Sequence, residues 1–218
     1  MNETDIAESH KTGLTAATLV LLLLGILYLA LAAASFAPGM NLAGNRPMQY
    51  LLHVTVLLSA FAYLLFAELA CSEHRETVLA RLAVTFAGLF TLPIVLGRSL
   101  GMWYISLQSP DAALDIFNFY SAGESVSRTM ELVSWTVLYP ISMLFLGRVF
   151  YRSKHRFRRL LLVLSVASSA CCFAAFTLLI TPDTIFFIVG VLGWGVLLEA
   201  ILVVYLLGPL PRFAGKQV

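Results

Sequence analysis

Four titratable residues in apolar surroundings carry the chemical interest of this chain: His53, Arg98, Glu131 and Glu199. A charge in hydrocarbon is costly, and it persists where it pairs, faces a watery cavity or binds something. Arg98 and Glu131 can neutralise each other, and His53 can join them as a hydrogen-bond partner. Trp135 and Tyr139 follow Glu131 by one and two helical turns and would wall the same face, with Tyr104 as a roof. Two readings follow. In one, the Arg98–Glu131 pair pins two helices together and His53 faces lipid headgroups. In the other, His53, Arg98, Glu131, Trp135 and Tyr104 line a polar pocket for a small anionic or polar ligand.

Glu199 stands apart from that group. With no arginine or histidine at its depth, it is either protonated or facing water or a serine-rich neighbour. Ser165, Ser168 and Ser169 lie at about its depth on the preceding apolar run. Such a carboxyl can relay protons in a transporter, or simply tie two helices by a hydrogen bond. Glu68 is less isolated, being within reach of Arg75.

The elements that must position these residues are written in the composition. Of the 218 residues, 60% are hydrophobic and only 12% charged, where soluble domains carry about 25% charged residues. The apolar residues come in blocks rather than at amphipathic spacing. About 20 such residues cross a bilayer, and six runs qualify: 14–36, 49–70, 82–104, 129–150, 160–181 and 185–207. The sequence therefore predicts a single all-α domain, a polytopic bundle of six transmembrane helices. Chemistry, if any, takes place inside the membrane or at its faces.

Orientation comes from the stretch 148–159, with its six basic residues Arg148, Arg152, Lys154, Arg156, Arg158 and Arg159. Short basic loops stay on the cytoplasmic side, which places both termini there by alternation. Eleven lysines and arginines (those six with Lys11, Arg75, Arg81, Arg212 and Lys216) then lie inside, against Arg46, Arg98 and Arg128 outside. His53, Arg98 and Glu131 fall in the outer leaflet, and Glu199 alone in the inner one. The expected location is the cell membrane, plasma or inner. The basic cluster could also hold anionic lipid headgroups, at about 1 kcal/mol per residue, although orientation alone accounts for it. Glu3, Asp5 and Glu8 precede the first apolar run, and a signal peptide would start basic. That run is expected to be a retained helix.

Between the third and fourth runs, Leu114, Phe117 and Tyr120 recur at helical spacing. Residues 110–121 read either as a short amphipathic helix on the outer face or as a plain connector held by aromatics. Pro93 and Pro140 should kink their helices. Ser165, Ser168, Ser169 and Cys172 on the fifth run, with Gly190, Gly193 and Gly195 on the sixth, predict close packing of an antiparallel hairpin.

Cys71, Cys171 and Cys172 make no disulfide framework, and there is no C-x-x-C or H-E-x-x-H motif. No nucleophile–base pair or phosphate-binding glycine loop appears, so an enzyme is disfavoured, and no metal, cofactor or nucleic acid is expected. Small-ligand binding or transport is the leading reading. A non-catalytic subunit that partners another membrane protein is the runner-up, with a homodimer as a further expected form.

Overall fold

A computed structural model describes residues 3–35, 45–107, 112–118, 125–179 and 184–208. Among them there is no strand, and six helices are long and apolar enough to cross a membrane. They are Glu8–Ala34 (span one), Arg46–Cys71 (two), Val78–Ser106 (three), Val126–Arg152 (four), Arg158–Leu179 (five) and Ile185–Leu207 (six). The chain is a multi-pass, all-α membrane protein. Several spans begin where a side chain satisfies a backbone donor left over by the first turn. Met48 N–H donates to Asn45 Oδ1, Ala80 N–H to Thr77 Oγ1 and Arg128 N–H to Ser125 Oγ, each at 3.2 Å.

Spatial neighbours follow chain order, each span lying against the next, and span six closes the ring against span one. Large apolar side chains such as Leu23, Val163 and Ile188 point outward, where hydrocarbon would meet them. The interior is aromatic and hydroxylic. Tyr63 lies 5.4 Å from Phe90 and 5.3 Å from Tyr139, centroid to centroid. Association in lipid relies on packing and interhelical hydrogen bonds rather than on expelled water, and the buried hydroxyls supply those bonds. Tyr63 donates to Ser142 Oγ (2.9 Å), which donates to the Ala83 carbonyl (2.8 Å), joining spans two, four and three. Ser168 donates to the Gly193 carbonyl (2.8 Å) and Ser169 to that of Pro140 (3.0 Å), joining span five to six and to four.

These bonds correct one expectation. Ser168 and Ser169 of span five are engaged with Gly193 and Pro140, Ser165 packs against Gly147, and none of the three lines the cavity that Glu199 faces. The predicted small-residue contacts do appear. A Cβ at Gly193 would stand 2.9 Å from the Ser168 carbonyl oxygen, and one at Gly147 would stand 2.6 Å from Ser165 Cβ. Gly195 instead faces Leu29 of span one.

Two spans contain a turn of π-helix: Ser134–Leu138 in span four and Leu192–Leu197 in span six. In span four the cause is legible. Pro140 has no N–H to offer the preceding turn, and just before it Tyr139 N–H reaches back five residues to the Ser134 carbonyl. Pro93 sits within a continuous helix.

Between spans three and four the described part is a 3-10 turn, Ala112–Phe117, rather than an amphipathic α-helix. The rest of the predicted 110–121 segment lies outside the described residues. This turn is held from below: Tyr104 donates to Asp115 Oδ1 (2.6 Å), Ser127 Oγ to the Phe117 carbonyl (3.1 Å), and Trp103 meets Phe117 at 6.0 Å. At the opposite face the basic loop is fixed to the end of span six. His155 stacks on Tyr205 at 5.2 Å, and its Nε2 lies 3.1 Å from the Tyr205 carbonyl oxygen.

Candidate functional site

The far end of the bundle, opposite the basic loop, brings three of the expected residues together. Arg98 reaches Glu131 with two guanidinium nitrogens, Nη2 to Oε1 and Nε to Oε2, in a bidentate pair. His53 Nδ1 is 3.5 Å from Arg98 Nη1. Glycines permit the approach. A Cβ at Gly101 would overlap the His53 ring, and one at Gly97 would lie 2.9 Å from the Ser127 carbonyl oxygen. The group is sealed, with His53 0%, Arg98 3% and Glu131 7% exposed. His53 therefore does not face headgroups.

Among the described residues, Tyr104 and Trp135 are engaged away from these three. The Tyr104 hydroxyl is engaged by Asp115. Trp135 packs into the aromatic interior, 4.7 Å from Phe90 and 5.5 Å from Tyr139. What the trio makes is a closed ionic clasp between spans three and four, with span two's imidazole beside it.

Deeper in the membrane lies a cavity of about 20 Å³, walled by spans one, two, four and six. Its lining includes Tyr28, Ser59, Tyr63, Trp135, Trp194 and Glu199. His53, Arg98, Glu131 and Tyr104 do not line it. Glu199 is 9% exposed, and neither carboxylate oxygen has a hydrogen-bond partner among the described residues. It sits eight residues before the end of span six, about 12 Å of helix rise. Ser59 is near the midpoint of span two, so the cavity belongs to the middle of the bilayer. It has room for a guest of about water size.

The backbone builds this site in three ways. Gly25 of span one lies directly against Glu199, and a Cβ there would overlap the carboxylate. The two π turns each carry a tryptophan, and Trp135 and Trp194 meet with ring centroids 5.6 Å apart. Glu199 follows the second π turn by two residues, so that turn sets the direction in which it points. Single π turns inside α-helices recur at functional sites.

Two hydroxyls keep acceptor capacity towards the cavity. Ser59 Oγ donates to the Thr55 carbonyl (2.8 Å) and Tyr63 donates to Ser142 Oγ, which leaves lone pairs on both oxygens. Tyr28 lines this cavity and is within electrostatic reach of Arg98 and Glu131. Sequence reasoning singled out Glu199 and Trp135 but missed Tyr28, Ser59, Tyr63 and Trp194 as neighbours. The signal available was Gly25, the one glycine in the hydrophobic part of span one.

The basic residues Arg148, Arg152, Lys154, Arg156, Arg158 and Arg159 lie at the opposite face, at the ends of spans four and five and in the loop between them. Arg156 lies over Phe157 at 5.3 Å and Arg158 over Tyr151 at 5.8 Å. Among the described residues no group of His, Cys, Asp and Glu could hold a metal ion. No family model matches this chain, and no curated protein or solved structure matches it either.

Proposed function

We propose that this multi-pass protein binds a small solute inside the cell membrane, at Glu199, as a carrier or as the receptor of a signal. The observation that supports this is the Glu199 carboxylate itself, buried on a cavity wall with both oxygens unpartnered. A buried acceptor without a donor is costly to fold around. A guest with hydrogen-bond donors removes that cost, which a purely structural side chain at this position would not need. The expected pocket thus shifts from the far-end trio to the centre of the bundle.

The test uses the full chain in lipid vesicles. Trp135 and Trp194 flank the carboxylate, so their emission reports occupancy. A panel of small amines, carboxylates and neutral solutes should contain at least one that changes emission saturably in the wild type and not in Glu199→Gln. A panel without any such solute rejects the reading.

The sealed Arg98–Glu131 clasp favours a second reading, a non-catalytic subunit built to hold a shape for another chain. Native mass spectrometry finding a partner, or a second copy, in fixed ratio beside a silent cavity would favour that one.

A further inference from the structure

We infer that the Glu199 cavity takes a small monovalent cation of the ammonium type, ammonium itself or methylammonium. This rests on the reading of Glu199 as a ligand-binding residue and adds the class of ligand.

Charge comes first. The guanidinium of Arg98 lies off the cavity and is committed to Glu131 in a bidentate pair, so it does not neutralise Glu199. A cationic guest would hold Glu199 ionised and pair with it, whereas an anion would be repelled. A neutral solute could donate hydrogen bonds but would bring no charge to hold the carboxylate ionised in hydrocarbon.

The walls then choose among cations. Tyr28, Tyr63, Trp135 and Trp194 all border the cavity, and aromatic faces, Trp above all, attract ammonium-type cations. Magnesium and calcium would need a shell of about six or more oxygen ligands. This lining offers the two oxygens of Glu199 and the hydroxyls of Ser59, Tyr28 and Tyr63, among mostly carbon surfaces. An ammonium group uses such a mixture well. Its N–H groups donate to the carboxylate and to the lone pairs on Ser59 and Tyr63, and its remaining charge rests on the rings. Size agrees, since about 20 Å³ of room for the centre of a water-sized guest admits a guest of one or two heavy atoms.

The full-length protein in phosphatidylcholine–phosphatidylglycerol vesicles, with Trp103→Phe to remove the third indole, is titrated with methylammonium chloride. Ammonium chloride, sodium chloride, sodium acetate and glycerol are compared with it. Ammonium and methylammonium are expected to change the emission saturably, to compete with each other and to weaken as pH falls. The other three are expected to give no saturable change. Glu199→Gln should abolish the response. Trp194→Leu, which keeps the carboxylate, should weaken methylammonium binding by about tenfold.

A response to acetate or glycerol, or an equal response to sodium, overturns the ammonium class while leaving a Glu199-dependent pocket in place. Emission that titrates with pH alone, in the wild type and not in Glu199→Gln, marks a site for a proton only and overturns the proposal. Loss of the response in Glu199→Gln counts only if that variant matches the wild type in size-exclusion profile and thermal midpoint. Unchanged methylammonium affinity in a folded Trp194→Leu overturns the aromatic part of the argument and with it the preference for ammonium.

Discussion

Trp135 and Trp194 meet at 5.6 Å with their rings inclined by 36°, and each is delivered to that contact by its own π-helical turn. Two irregular turns on non-adjacent stretches of sequence thus converge on one contact above one carboxylate. The pair should be energetically coupled beyond the area it buries. A double-mutant cycle with Trp135→Leu and Trp194→Leu, read by unfolding in bicelles, should give about 0.5–1.5 kcal/mol of coupling. Strict additivity would mean that the rings share a neighbourhood without an interaction.

The clasp at the far end makes a different prediction. Arg98 and Glu131 are both buried, so removing one partner strands the other charge. Arg98→Leu or Glu131→Leu alone should destabilise the fold by about 3–5 kcal/mol, whereas the double substitution should recover most of that loss. Equal instability of the single and double variants would show that packing, rather than charge, is at stake there.

Gly25 admits the Glu199 carboxylate to the cavity wall. Gly25→Ala places a methyl group where that carboxylate lies, so the glutamate must rotate or span one must move away. The expected outcome is a folded protein whose tryptophan emission differs from the wild type and no longer responds to any solute that acts through Glu199. A variant with unaltered emission and response would show that span one does not press on the site.

The basic loop supplies a pH prediction. Phe157 N–H donates to His155 Nδ1 (3.1 Å), and Nε2 faces the Tyr205 carbonyl. This fixes the neutral tautomer with its proton on Nε2. Burial lowers the His155 pKa from its ordinary value, against the smaller opposing effect of the Tyr205 carbonyl. The unfolded loop therefore binds a proton more readily than the folded one. The loop's stability is full above about pH 6.5, the ordinary histidine value, and falls as acid drives protonation of Nδ1. Hydrogen-exchange protection at residues 153–158, taken relative to the intrinsic rate at each pH, should fall between neutral pH and pH 5, and His155→Gln should remove that dependence. Protection that is flat across this range would refute the assignment.

The sequence and the structure agree where lipid does the selecting. Apolar blocks must become helices, because backbone groups in hydrocarbon have no other partners. The depths counted along those helices put Arg98 level with Glu131, and the two are paired. Serines and glycines marked close contacts for the same reason. Glu199 was legible as isolated but not as lodged. Its neighbours come from spans one, two and four, and only closure of the ring by span six against span one brings them there. Counting depth along single helices says nothing about that closure. The π turns were equally hidden, since Leu-Gly-Trp-Gly-Val-Leu carries no signal that separates a π from an α path. Before Pro140 the kink was foreseeable, its widened form was not.

The π turn at Leu192–Leu197 accommodates one residue more than a regular helix would over the same rise. Wound as plain α-helix, the same residues would turn everything beyond the turn by about 100°. Glu199 would swing off the cavity, while hydropathy, topology and the basic loop stayed as they are. One residue removed from the turn would let span six run as plain α-helix with the carboxylate still in place, so the site depends on how the extra residue is absorbed rather than on the length of the span.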